Sequence, residues 1–267
     1  MRLFEEYRAF IHRFGTQYLY RLLPGIGPTF LGIGSQLNLE EWEPETLGAH
    51  NLHQIKEVLS LSTQSSFWDK ISKKYASKPV PSEEVYEKKL SIIRQFLKPD
   101  SIVLEFGCGT GTTALKLAPD LGQIEAFDYS ASMVEIAKSK LANEGHANVS
   151  FGVMAIEDIS FQDNHYDLVM GHSVLHLTFE NKKLLSRIYA GLKPGGYFVS
   201  GSGCIKDMNL LVRAVIPVMH FLGKAPAINA FTADELVEIH RNVGFDIEKR
   251  WDYKPGEVYI VAQKPVD

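Results

Sequence analysis

Cysteine is nearly missing from this chain: only Cys108 and Cys204 stand among 267 residues. Two thiols cannot build a disulfide framework or a four-sulfur zinc cluster, and their scarcity suits a reducing compartment. No apolar run reaches the roughly 20 residues that a membrane-spanning helix needs. The first residues place Glu5 and Glu6 close behind Arg2 and lack the continuous apolar core of a signal peptide. The expected location is therefore cytoplasmic. Excess positive charge is lacking too. With a net charge of −4 and a pI near 6.2, nothing global draws the protein to nucleic acid. What remains is an ordinary globular composition, 45% apolar and 22% charged, in a chain long enough to bury a core without staples.

Two regions differ in pattern. Within 1–65, the opening stretch "MRLFEEYRAFIHRFGTQYLYRLL" puts Leu3, Phe4, Tyr7, Phe10, Ile11, Phe14, Tyr18 and Leu22 on one helical face, opposite Arg2, Glu5, Arg8 and Arg13. Such an amphipathic helix suits packing on its own domain, a homodimer interface, or peripheral contact with a membrane surface. Pro24, Gly25, Gly27 and Pro28 end it, and a short helix is expected around Leu52–Leu61.

From residue 66 to 267 strands and helices alternate. "SEEVYEKKLSIIRQFL" reads as a helix capped by Ser82, "SIVLEF" as a strand, "QIEAFD" as the next, and "SASMVEIAKSKLANEG" as a helix ending at Gly145. "NVSFGV", "YDLVMG" and "GGYFVSG" are further strands. "TADELVEIHRNVG" is a helix, and "FDIEKRWDY" with "EVYIVAQKP" forms a closing pair. Nearly continuous apolar strands between helices predict a Rossmann-like α/β fold, a seven-stranded mostly parallel sheet with helices on both faces. Such sheets bind ligands beyond the carboxyl ends of their strands.

The stretch "LEFGCGTG" sits at such an end. Gly107, Gly109 and Gly111 alternate between a strand and a helix, where a sharp bend and a close ligand approach both favour a missing Cβ. A dinucleotide fingerprint needs G-x-G-x-x-G, but Thr112 stands where its third glycine belongs. That spacing counts against a nicotinamide-dependent oxidoreductase. Asp128 closes the following strand, where a carboxylate can accept hydrogen bonds from both ribose hydroxyls.

These residues carry a resemblance. "LEFGCGTG", "IEAFDYSASMVEIAKSK", "YDLVMGHSVLHL", "LKPGGYFV" and "TADELVEIHRNVGFDIE" follow one another as in class I S-adenosylmethionine-dependent methyltransferases, and the quinone-biosynthesis type looks most similar. The resemblance covers about 66–265 and implies S-adenosyl-L-methionine as cofactor. It implies that Gly107, Gly109 and Gly111 make room for its methionine part, that Glu105 orients the loop and the amino group, and that Asp128 holds the ribose. Tyr129 and Met133 would lie near the adenine, and Tyr75 would close an N-terminal segment over the site. The family often places an acidic residue where this chain has Ala155; Ile156 can still offer its amide to the ring, with Glu157 or Asp158 reaching the adenine amino group.

Methyl transfer chiefly needs alignment and exclusion of water. "GHSVLHL" should border the methyl group. His172 has the right ordinary pKa for a general base, or else fixes the loop as a polar residue, and Ser173 could hydrogen-bond substrate. His176 reads as a structural histidine and Cys108 as a small loop filler. No third ligand accompanies the two histidines, so no metal is expected. Between 204 and 231 an apolar insertion, interrupted by Pro217 and Pro226, either caps a substrate pocket through Met208, Met219 and Phe221 or completes the core. The leading reading is a small-molecule methyltransferase. A non-catalytic module that retains the cofactor remains the alternative, and methylation of nucleic acid is disfavoured.

Overall fold

The computed structural model describes residues 65–222 and 224–266, without the side chain of Phe221. The N-terminal amphipathic helix, the helix expected near 52–61 and their proposed membrane or dimer roles lie outside the described residues.

Residues 65–76 are helical and form α1. The α2 helix, Glu83–Arg94, begins where the Ser82 side chain accepts a hydrogen bond from the Val85 amide, as expected of that cap. Seven strands follow among the described residues: β1 Ile102–Phe106, β2 Gln123–Asp128, β3 Val149–Val153, β4 Tyr166–His172, β5 Leu192–Gly203, β6 Asp246–Lys254 and β7 Glu257–Gln263. Between them lie α3 Thr112–Leu117, α4 Ala131–Glu144, α5 Asn181–Gly191, α6 Leu210–Phe221 and α7 Ala233–Val243. Gly145 ends α4 in the left-handed region with φ 77°, as its sequence predicts.

The strands are ordered β3-β2-β1-β4-β5-β7-β6. Pairs from β3 to β5 are parallel, whereas β7 runs antiparallel between β5 and β6. Burial explains the order. In β7 the run Val258–Ala262 is buried throughout, which demands neighbours and cover on both sides. In β6 exposed and half-buried residues alternate along "DIEKRWDYK", the mark of a charged sheet edge.

Two cores fill the two faces. On one, Val103, Leu168, Met170 and Val199 pack with Leu90 and Ile93 of α2 and with Leu115 and Ala137. On the other, Phe106, Val169, Phe198 and Ile260 pack with Leu185 of α5 and Leu236 of α7. Side chains such as Phe106 and Phe198, fully buried, contribute about 1.5–3 kcal/mol each. The strand order reverses between β1 and β4, because β2 and β3 lie to one side of β1 and the later strands to the other. That reversal leaves a crevice at the carboxyl ends, which is where the glycine loop emerges.

One expectation needs correction. Pro217 does not interrupt the insertion: α6 runs through it to Phe221. Proline removes one main-chain hydrogen bond. On this helix, where Leu210, Leu211, Val215 and Val218 are exposed, the carbonyl it releases can turn to solvent.

Candidate active site

The loop after β1 carries three left-handed glycines, Gly107 at φ 63°, Gly109 at 54° and Gly111 at 74°. The Gly111 amide donates to the Cys108 carbonyl at 3.0 Å and closes the bend. The Cys108 amide donates to the Phe127 carbonyl at 3.0 Å and ties the loop to β2. On its other flank Lys140 donates to Thr110 Oγ1 at 3.1 Å and Thr112 Oγ1 at 2.9 Å.

The glycines serve different ends. A Cβ on Gly107 would come 2.2 Å from Val174 Cγ2, and one on Gly111 would come 2.6 Å from Phe151 Cζ. Both positions are therefore filled by protein. A Cβ on Gly109 would meet nothing within 4 Å, so this is the glycine that opens onto free space. Sequence alone could not separate them, because Val174 and Phe151 arrive from β4's end and from β3.

Asp128, the last residue of β2, is 7% exposed and braces this loop. Its Oδ2 accepts from the Gly109 amide at 2.9 Å and its Oδ1 from the Ser130 amide at 2.9 Å. Each oxygen keeps a further lone pair that could accept from a ribose hydroxyl. Burial raises its pKa while these two hydrogen bonds lower it. Glu105 is 2% exposed, and its Oε2 is buried with no hydrogen-bond partner. Burial foremost, then the nearby Asp128 charge, pushes its carboxyl up to about 8. Register pairs Glu105 with Met170 and with Ala126. Asp128 and His172, each two residues further along its strand, therefore project from the same sheet face as Glu105.

His172 is the final residue of β4 rather than part of the loop beyond it. Its Nε2 lies 3.3 Å from the Tyr259 hydroxyl and its Nδ1 is buried without a partner. Burial first, then the Lys89 charge, drives its pKa down to about 3. The imidazole is therefore neutral, well below the ordinary value expected from sequence. Ser173 is exposed, with φ 59°, and its amide donates to the Gly201 carbonyl at 2.7 Å. His176 is also held neutral, near 4, by burial. Among the described residues no group of three or more metal-ligating side chains exists.

Around this centre the structure brings several expected residues together. Tyr75, 52% exposed, stands edge-on to Trp68 with ring centroids 6.2 Å apart. Tyr129, half-buried, feels both Asp128 and Glu157, after burial itself. Met133 is buried in the first turn of α4. Ile156 and Glu157 belong to a short turn, Ile156–Asp158, that Arg187 fixes by donating to the carbonyls of Ile156 and Ile159. Met208 packs beside Gly203 and Gly256. Met219 is half-buried on α6.

Two contributors carry no local signal. Asp69 on α1 accepts from Ser130 Oγ at 2.6 Å and from the Ser132 amide at 3.1 Å, latching α1 to the start of α4. Tyr259 reaches His172 from a strand 87 residues away. The strand that carries Tyr259 was expected from its apolar run, but that run does not say which polar group it meets.

A positively charged nucleoside with two ribose hydroxyls fits these residues: a buried carboxyl with one partnerless oxygen for its amino group, open space at Gly109 for its approach, and spare lone pairs on Asp128 for its sugar. The family model described as "Methyltransferase domain" matches residues 103–196. A 2-phytyl-1,4-naphtoquinone methyltransferase of Nostoc is 30% identical over 174 residues, 55% of this chain and 73% of that protein. Phosphoethanolamine N-methyltransferase 2 of Caenorhabditis elegans is 33% identical over 114 residues, 42% of this chain and 26% of that one. Among solved structures, Phosphoethanolamine N-methyltransferase 2 of Haemonchus contortus in complex with S-adenosyl-L-methionine superposes with a TM-score of 0.57 at 19% identity, covering 67% of this chain and 53% of that one. The chain belongs to the class I S-adenosylmethionine-dependent methyltransferases, and S-adenosylmethionine is its cofactor. The alignments span 26% to 55% of the length of the first curated relatives matched.

Proposed function

We propose that the protein transfers a methyl group from S-adenosylmethionine to a small acceptor with a partly apolar body. The observation that carries this reading is Glu105 Oε2, a buried carboxylate oxygen with no partner beside the glycine loop. Leaving it unpaired costs the protein, and a cationic amino group would offset that cost. When bound, the cofactor supplies a methyl group on positively charged sulfur. The chain's own work is to grip the sugar through Asp128, cover the site with α1 and hold an acceptor beside His172. The quinone-biosynthesis subset named for relatives such as the Nostoc enzyme supports an aromatic acceptor, as do the apolar side chains of α6.

A calorimetric titration with S-adenosylmethionine tests this. Glu105 holds a proton below about pH 8 in the free protein and must lose it to face a cation. Binding at pH 7 should therefore release a proton, and affinity should rise with pH by up to about tenfold per unit until pH 8. Glu105→Gln should weaken binding and flatten that dependence. Labelled methyl transfer to aromatic hydroxyl and quinol acceptors completes the test. Binding without transfer to any of them would favour a non-catalytic module, and displacement of the cofactor by a nicotinamide dinucleotide would refute the site.

A further inference from the structure

His172 on β4, Gly201 on β5 and Tyr259 on β7 occupy one row across the sheet. Gly201 contributes no side chain, so the two rings meet over it, stacked at 5.7 Å with an interplanar angle of 11°. A Cβ on Gly201 would come 3.3 Å from Tyr259 Cδ2 and 3.4 Å from His172 Cδ2. The gap is thus no wider than the stacked pair requires.

Proton positions follow from the partners. Tyr259 has one hydroxyl proton and two neighbours, the Lys89 carbonyl at 3.5 Å and His172 Nε2 at 3.3 Å. A carbonyl can only accept, so when the hydroxyl donates to Lys89 its oxygen is free to accept from Nε2–H. The other ring nitrogen points the same way. Nδ1 is buried and partnerless, and a buried N–H without an acceptor would cost about 1–3 kcal/mol. We propose that the Tyr259 hydroxyl is a positioning group that locks His172 in the Nε2–H tautomer, reserving the Nδ1 lone pair for a proton-bearing nucleophile of the acceptor. Lys89, whose ammonium lies 5.6 Å over the Tyr259 ring and 4.1 Å over Tyr253, disfavours a charged imidazole. His172 then acts as a neutral hydrogen-bond acceptor that aims an O–H or N–H group. An acceptor atom without a proton, such as a thioether, gains nothing from it.

The role in transfer rests on the methyltransferase reading, but the tautomer does not, and a readout without turnover separates them. Long-range proton–nitrogen correlation spectra of ¹⁵N-histidine protein, assigned with His172→Gln, should show protonated Nε2 and unprotonated Nδ1 in the wild type. Tyr259→Phe keeps the stacked ring and should shift His172 toward the other tautomer. It should lower kcat by roughly tenfold or more at nearly constant cofactor Kd, since a misplaced imidazole proton is costly in comparable sites. Protonated Nδ1 in the wild type overturns the proposal even if the Phe variant does not fold. An unchanged tautomer in Tyr259→Phe, or a changed one with unchanged kcat, also overturns it. The expected tautomer with no transfer to any acceptor would instead sink the methyltransferase reading.

Discussion

Gly107 and Gly109 share a left-handed backbone, but a Cβ would meet Val174 at Gly107 and nothing within 4 Å at Gly109. Any side chain at either position pays about 1–2 kcal/mol for that conformation. At Gly107 a methyl must also displace Val174, 2.2 Å from its place, and overpacking of this kind adds about 1–3 kcal/mol. Gly107→Ala should therefore lower the melting temperature clearly more than Gly109→Ala. Gly109→Ala should fold and instead weaken cofactor binding, because its methyl enters the space a ligand needs. Calorimetric unfolding and titration of both variants check the contrast. Equal losses of stability would mean that Val174 yields freely. The three glycines are legible as a motif from spacing alone; their separate reasons are not, since Gly107 and Gly111 depend on Val174 and Phe151, distant in sequence, and Gly109 on the lack of any neighbour.

Elements proved more readable than contacts. The helix from Ala233 to Val243 carries a full capping box, with Thr232 Oγ1 accepting from the Glu235 amide at 3.0 Å and Glu235 accepting from the Thr232 amide at 2.9 Å. Gly244 closes it at φ 114°. Thr232→Ala should cost about 1 kcal/mol. Glu235 also pairs with Lys206 at 2.8 Å, so a further loss on Lys206→Ala would be small for an exposed pair. Chemical denaturation of the single variants measures both. Strand β2 and α4's ends were legible for the same kind of reason: Asp128, Ser130 and Gly145 are local signals. The course of α6 was not, because proline's cost of about 3 kcal/mol inside a helix marks a break or a tolerated irregularity alike, and local sequence does not say which. The Asp69 latch and the Tyr259 contact were likewise invisible, since long-range polar pairing leaves no period in the sequence.

At the scale of the molecule, buried titratable groups set opposing demands on pH. His172, His176 and His240 have pKa values driven by burial to about 3, 4 and 4, against an ordinary 6.5. The unfolded chain takes up these protons first, so the stability they confer is intact above pH 6.5 and drains away as pH falls toward 4. Glu105 acts in reverse. Its folded value near 8 lies above the ordinary 4.5, so stability tied to its proton is present below pH 4.5 and declines as pH rises to 8. The cofactor-free protein should be most stable near pH 6–7, and Glu105→Gln should remove most of the loss on the alkaline side. Melting temperatures between pH 4 and 9 test this. A flat profile in the wild type would contradict the burial of these groups.

The Asp69 carboxylate has one consequence beyond anchoring. It clasps Ser130 Oγ, while Asp128, two positions earlier, receives that same serine's amide. Whatever stiffens the turn after β2 should be felt by α1 through that serine's hydroxyl and the neighbouring Ser132 amide. Ligand occupancy at that turn should thus be written into the exchange rates of amides between 65 and 76.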